Sequence, residues 1–501
     1  MGTFPPQRAP GDPDDPDLSP SSTRPLGERA PRGRRRSHYA EQDLTSGDIR
    51  RHLWSMGWPQ MVAGVFNAVD QLADLFWAGR VAGVDAIAGV GISQSFARLV
   101  MLARAGLDVG MQATIARAIG ARRTDVANHA AFQAFTVAVA MLVLIALVGV
   151  VAAPFLLRVM DLGQAGTAQA LVYLQLQFVG VGVQGFRATA GGALLASGDV
   201  LTHVQSTLAS RIIHLTLTPI LVFGLFGSPE MGVAGAAAAN IVGQSAGTVW
   251  NLRALHSGRT RLQLRFSEYR VDARMIWRIV RIGVPAGVTQ AERGVSEIAL
   301  LWILSPFGTT ALAAFSLTRR LERMTNVGSQ GMGKASGVLV GQNLGAGRPD
   351  RARATVKWAV AYVTTVRGGA GALLIIFPAL FIGPFGGDGE FVEVASVWVR
   401  IQAVAGIALG AGQVFQRSFN VAGDTLAPMF VTLASVWALE VPMAFVLSRF
   451  TPAGALGVAF AIALAMFFRL ALYGGYYTTG RWLRARVLDE SVDQPDPSWV
   501  G

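Results

Sequence analysis

Between residues 60 and 74, Gln60, Gly64, Asn67, Gln71 and Asp74 recur at increments of four and three, with Asp70 beside them. On a helix this spacing puts the five on one face. It places Gln60, Asn67, Gln71 and Asp74 towards a bundle interior and leaves Leu72 and Leu75 off that face. A second stripe holds Gln94, Arg98, Arg104, Asp108 and Gln112. Both stripes lie inside apolar runs, where an ionisable group costs several kcal/mol and faces a cavity or a partner. Such residues suit the binding and exchange of ions rather than bond making. Asp70, Asp74, Glu292 and Glu297 are the acids placed to couple to protons. A sodium ion needs several oxygen ligands, of which Asn67, Gln71 and Asp74 supply some. Structural ion pairing of Asp70 or Asp74 with Arg98 or Arg104 is the plain alternative.

The elements that must hold these residues follow from composition. The chain has 501 residues, 52% hydrophobic and 15% charged, with 58 glycines and a mean hydropathy of +0.42. A soluble chain carries about a quarter charged residues, so these values point to helices packed in lipid. Twelve apolar runs lie between residues 54 and 478, each near the length of about 20 residues that spans a bilayer. The net charge of +12 comes almost wholly from arginine. Because the arginines fall between apolar runs, the partner expected is the lipid bilayer and not nucleic acid. Zero cysteines exclude disulfides and thiolate chemistry, and six scattered histidines offer no metal cluster. No His-Glu-x-x-His or Gly-x-Ser-x-Gly motif is present, so neither an enzyme nor a bound cofactor is expected.

Residues 1–49 are rich in Pro, Asp, Ser and Arg and read as a disordered basic tail. No apolar segment follows Met1, so no cleaved signal peptide is expected. Arginines crowd alternate connections, including Arg122 and Arg123, the long stretch from Arg253 to Arg281, Arg348 to Arg353, and Arg481 to Arg486. This asymmetry puts both termini in the cytoplasm of a multi-pass inner-membrane protein. Within the long stretch, Arg270, Arg274, Arg278 and Arg281 recur beside Met275, Ile276 and Trp277. That pattern reads as an interfacial amphipathic helix or, equally, a solvated helix face.

The chain also repeats itself. Gly57-Trp-Pro59 returns as Gly283-Val-Pro285, Gly120-Ala121 as Gly345-Ala346, Gly198-Asp199 as Gly423-Asp424, and Gly232-x-x-Gly235 as Gly454-x-x-Gly457. The expected fold is all-α and integral to the membrane, with twelve transmembrane helices in two homologous six-helix lobes. A pseudo-two-fold axis along the membrane normal relates the lobes. The boundaries are 50–255 for the N-lobe, 256–275 for a cytoplasmic connection, 276–482 for the C-lobe and 483–501 for a C-terminal tail. Parallel repeats place a substrate path between the lobes, with rocking as the natural motion. Shifted by the repeat, Asn67 and Gln71 map to Arg293 and Glu297, and Gln94 and Arg98 map to Arg319 and Arg323. Asn326, Gln330 and Lys334 extend that stripe. Gly120-Ala121 and Gly345-Ala-Gly347 are expected to end the second and eighth helices.

Several motifs resemble those of the multidrug and toxic compound extrusion (MATE) family. Asp74-Leu-Phe-Trp-Ala-Gly-Arg80 resembles its first-helix signature. The run Val340-Gly-Gln-Asn-Leu-Gly-Ala-Gly-Arg-Pro-Asp350 resembles its loop after the eighth helix, and Ala422-Gly-Asp-Thr425 its turn after the tenth. The resemblance covers residues 50–480. It implies an antiporter that expels small organic compounds in exchange for protons or sodium, with Asp74 as the N-lobe coupling acid and Glu292 near a C-lobe one. An anionic-metabolite or lipid-linked-precursor exporter of the same superfamily, and a non-transporting protein that keeps the fold, are the alternatives. The arginines Arg98, Arg104, Arg293, Arg319, Arg320 and Arg323 favour an anionic or zwitterionic substrate. One chain carrying both lobes is expected to act as a monomer.

Overall fold

The computed structural model describes residues 42–81, 104–159, 164–264, 270–383, 389–485 and 487–488. Among these, the regular structure is entirely helical, and twelve long helices follow one another. They are α1 (Ile49–Val81), α2 (described over 104–120), α3 (Thr124–Val159), α4 (Gln164–Ser197), α5 (Val200–Phe223) and α6 (Val233–His256) in the N-lobe. The C-lobe holds α7 (Ala273–Leu304), α8 (Gly308–Gly345), α9 (Pro349–Ile376), α10 (Gly389–Ala422), α11 (Leu426–Phe450) and α12 (Ala455–Thr479). Helices of 24 to 38 residues are long enough to cross a bilayer. On α3, Val143, Leu144, Leu147, Val151 and Phe155 are all exposed, an apolar face that suits lipid.

The repeat is written into the backbone. Gly232 before α6 has φ 53° and ψ −135°, and Gly454 before α12 has φ 51° and ψ −132°. An L side chain resists that conformation, which is why glycine marks both places. Asp199 then caps α5 by accepting from the Thr202 amide at 3.1 Å, and Asp424 accepts from the Ala427 amide at 3.3 Å. Helix α2 ends at residue 120 and α8 at Gly345, where Pro349 starts the next helix.

The lobes meet along a seam of small residues. A Cβ on Gly120 would overlap the Gln342 carbonyl, and one on Gly345 the Arg117 carbonyl. Gly106 and Gly110 of α2 likewise approach the α7 backbone at Gly283 and Ile279. Hydrogen bonds tie the same end: Arg117 Nη2 donates to the carbonyls of Ala422 (2.7 Å) and Ala485 (2.8 Å), and Gln342 Nε2 to that of Ala196 (2.9 Å). The lobes are sealed where the arginine-rich connections lie.

Two expectations need correction. Residues 42–48, assigned to the disordered tail, form a turn that buries Leu44 against Leu53, Met56 and Leu339. Arg348 and Arg351 fix that turn by donating to the carbonyls of Thr45, Ser46 and Gly47. A single buried leucine and three accepted hydrogen bonds escape a compositional reading. The arginines expected on a helix feeding the seventh span lie, from Arg274 on, on that span itself, because α7 runs unbroken from Ala273. Asp272 caps it through the amides of Arg274 and Met275. Residues 1–41, including the rest of the tail, lie outside the described residues.

Candidate substrate and ion sites

A cavity of about 580 Å³ lies between α1, α4 and α5 of the N-lobe and α8 of the C-lobe. Helix α1 contributes Gln60, Gly64, Asn67 and Leu72; Gln60 and Asn67 share this face as their spacing suggests, and Leu72, expected off it, lines the cavity too. Helix α8 contributes Arg320, Arg323, Gln330 and Lys334; α4 and α5 contribute Arg187, His203, Thr207 and Arg211. Five arginine or lysine side chains line this space, and no Asp or Glu does among the described residues.

Their compensation is uneven. Arg323 reaches Glu297 at 3.9 Å, and Arg211 is paired as described below. Arg187 is 6% exposed; its guanidinium donates to Gln244 Oε1 at 2.5 Å and Thr207 Oγ1 at 3.1 Å, with Asp70 within electrostatic reach. No carboxylate is at ion-pair distance from Arg187 or Lys334 among the described residues. Arg417, Arg187 and Asp108 lie within electrostatic reach of Lys334.

Asp70 sits behind the cavity wall, 2% exposed. Arg211 Nη1 donates to Oδ2 at 2.6 Å, and His214 Nδ1 donates to Oδ1 at 2.8 Å. Arg211 Nε donates to Asn67 Oδ1 at 2.7 Å. Both Asp70 oxygens are thereby engaged, and the guanidinium is held in one orientation facing the cavity. These partners come from α5, some 140 residues along the chain. Arg104 pairs with Asp108 one turn on at 2.6 Å, and Asp108 accepts from Thr189 of α4.

The C-lobe has a different cluster. Glu292 of α7 and Glu440 of α11 are 5% and 2% exposed. Arg469 of α12 stands 3.7 Å from Glu440, within ion-pair range but too far for a hydrogen bond. Arg319 and Glu322 pair along α8 at 2.8 Å. Asn326 accepts from Arg367 of α9 at 2.6 Å. Helix α11 widens to a π-helical stretch over Ala434–Glu440, in which Val441 N donates five residues back to Val436. Pro442 follows, and its ring would strike a carbonyl four residues earlier in a regular α-helix.

Of the residues singled out from sequence, Gln60, Gly64, Asn67, Arg320, Arg323, Gln330 and Lys334 line the cavity. Arg104, Asp108, Glu292, Glu297, Arg293, Arg319 and Asn326 lie outside its lining, and Asp70 stands behind Arg211. Gln94 and Arg98 fall outside the described residues, as do the side chains of Gln71 and Asp74. Sequence reasoning passed over Arg187 and Gln184 on α4, three residues apart, and Glu440 and Arg469 in the C-lobe.

The MatE family model matches residues 59–220 and again 285–446, an offset of 226 residues. These matches cover more than half of the chain, which therefore belongs to the MATE family of membrane transporters. It is 25% identical to the probable multidrug resistance protein YoeA of Bacillus subtilis, over 84% of this chain and 91% of that protein. It is 21% identical to the FAD transporter of Shewanella oneidensis, over 80% of this chain and 88% of that one. A solved outward-facing multidrug resistance MATE transporter superposes with a TM-score of 0.83 at 19% identity, covering 90% of this chain and 100% of that one. The fold is thus the two-lobe, twelve-helix MATE fold, and the protein is a transporter rather than an enzyme.

Proposed function

We propose that this protein exports organic anions from the cytoplasm by alternating access between its lobes, in exchange for protons. The observation that carries the reading is the cavity's charge: five cations line it without a described acid. Arg187 is buried with no carboxylate at ion-pair distance among the described residues, a costly condition for a charge, and an anionic occupant supplies the missing partner. Arginine forks match carboxylate and phosphate geometry, and the cavity lies within the usual size of organic-ligand sites, about 300–1,000 Å³. Aromatic cations, by contrast, meet electrostatic repulsion there. The FAD transporter of Shewanella oneidensis is a relative whose name carries an anionic substrate.

The motion follows from the seam. With the arginine-rich connections and both termini in the cytoplasm, the sealed end is the inner one, and the described conformation is the outward-facing partner of a rocking pair. Protons suit the buried acids better than sodium, since guanidinium groups already stand beside Asp70 and Glu440 where a metal ion would have to sit. The direction of coupling is constrained too. A proton held at the cavity adds positive charge and tightens the grip on an anion, which is the wrong sign for exchange. The exchanged proton must bind away from the cavity and act through the lobe motion.

Purified protein in proteoliposomes, given an imposed pH gradient, tests this reading with carboxyfluorescein and FAD as anionic probes and ethidium as a cationic one. Export of an anionic probe, with ethidium left behind, is the expected result. Export of ethidium alone would refute the anionic assignment.

A further inference from the structure

We propose that Glu440, Glu292 and Arg469 form a proton-binding site inside the C-lobe, in which one guanidinium is shared between two carboxylates. This site deepens the proton-exchange reading above and rests on it. None of the three lines the substrate cavity, so a proton taken up here leaves the cavity's own charge unchanged. That is the separation which exchange of an anion for a proton requires.

Three features single the cluster out. Its members are buried but incompletely bonded: Glu440 Oε2, Glu292 Oε1 and Arg469 Nε have no hydrogen-bond partner, although each residue is less than a tenth exposed. Buried charges in this condition are costly and call for another ligand or a proton. The surrounding charges do not complete them. On α8, Arg319 and Glu322 are bonded to each other. On α12, the Tyr473 hydroxyl is taken up with Thr432 at 3.0 Å. On α7, Arg293 is exposed and lies within electrostatic reach of Glu292 and Glu322. Among the described residues, Arg469 is left as the buried cation that acts on both Glu292 and Glu440.

The third feature is the backbone beneath Glu440. Pro219 in α5 and Pro442 in α11 stand at corresponding places in the two lobes, 223 residues apart. Helix α5 passes Pro219 as an ordinary α-helix, whereas α11 ends its π-helical stretch at Glu440, two residues before Pro442. Such stretches can revert to α-helix by shifting register, and they occur frequently at functional sites. When the Glu440 carboxylate takes a proton from water, an O–H bond forms and its attraction for Arg469 is lost. Arg469 then has Glu292 as its remaining acid, so protonation exchanges an α11–α12 contact for an α7–α12 contact. Helix α7 is also the one that packs against α2 along the lobe seam, which connects the proton to the rocking.

The test uses the full chain in proteoliposomes. Dicyclohexylcarbodiimide reacts with buried carboxyls in their protonated form, and peptide mass spectrometry locates the adduct. Labelling of Glu440 or Glu292 that rises as pH falls, with Asp70 unlabelled, is expected. Absence of adduct on both glutamates throughout the pH range in which export runs overturns the proposal. Export of carboxyfluorescein and ethidium by E440Q supplies a second readout. Gradient-driven export should fall about tenfold while counterflow without a pH gradient stays near the wild-type rate, and E440D should recover part of the pH dependence. Wild-type export of either probe that responds to the pH gradient, together with an equal response in E440Q and in E440Q/E292Q, removes this site but leaves proton exchange standing. A wild-type protein that ignores the pH gradient for both probes removes the two together.

Discussion

Asp70 in the N-lobe and Glu440 in the C-lobe are equally buried, each 2% exposed, but they are held quite differently. Asp70 spends both oxygens on Arg211 and His214, and Arg211 is locked further by Asn67. Glu440 Oε2 stands 3.7 Å from Arg469 and has no hydrogen-bond partner. The first arrangement fixes a cation at the wall of a cavity; the second leaves an acid able to change state. Burial of a carboxylate therefore does not identify it as the coupling group. The completeness of its hydrogen bonding decides between a positioning role and a titrating one.

Removing each acid should separate these roles most strongly. Asp70→Ala leaves the Arg211 charge buried without its partner, for an expected loss of about 3–5 kcal/mol in stability. E440Q, which gives up a long ion pair without a hydrogen bond, should lose about 1 kcal/mol or less. Thermal unfolding in detergent compares the two, and equal losses would erase the distinction drawn here.

The seam comes next in size. Gly120→Val or Gly345→Val forces side chains into facing backbone at an expected cost of about 1–3 kcal/mol to the sealed state. A shift of that size moves a two-state equilibrium roughly fivefold to 150-fold. Since the chain has no cysteine, Ser197→Cys offers a single thiol buried near the sealed end. Its labelling should quicken in the valine variants, and an unchanged rate would mean the glycines do not hold that end shut.

Within the cavity, Arg187→Gln should weaken binding of an anionic probe about tenfold, or about 1.4 kcal/mol. Arg367→Gln, whose guanidinium is spent on Ser329, Thr325 and Asn326, should leave that affinity unchanged. Equilibrium titration of both variants checks the contrast.

The smallest effect belongs to the connection between the lobes. Burial pushes the Asp272 carboxyl up, but hydrogen bonds from His129, Met275 and Arg274 and the charge of His129 outweigh it and hold the group below its usual range. A carboxyl depressed on folding adds stability above its unfolded value, and that contribution fades as pH falls through the depressed one. Asp272→Ala removes the cap of α7 and should cost about 1 kcal/mol near neutral pH. Asp272→Asn keeps most of the cap, and its difference from wild type should disappear in acid. Unfolding midpoints across pH test both statements.

Much of the fold was legible because each span has to be apolar along its whole length and each turn has to end it. Gly232 and Gly454 stand out in a sequence comparison because their backbone angles demand glycine, and so the repeat could be read. The Gln60 to Asn67 stripe was legible for a similar local reason, since neighbours on one helical face are set by spacing alone. The partners of Asp70 were not. Arg211 and His214 lie some 140 residues away, and no local rule connects α1 with α5. Nearer candidates were misleading, as Arg104 takes Asp108 one turn along its own helix. Glu440 was hidden by averaging, because one acid barely alters the hydropathy of the run from Leu426 to Leu447. Arg187 was visible as a charge in an apolar run, and the cue was passed over.

The most direct test of the central claim is the charge moved per transport cycle. If the cationic cavity carries an anion outwards while the C-lobe carries a proton inwards, both movements bring positive charge into the cell interior. An inside-negative potential should then drive the cycle with roughly 2.3 kcal/mol per charge per 100 mV. Proteoliposomes with a potassium-valinomycin potential, monitored for carboxyfluorescein export at equal pH on both sides, measure this. Faster export as the interior becomes more negative is the predicted result. Export indifferent to the potential, as in electroneutral exchange of a cation for a proton, would contradict it.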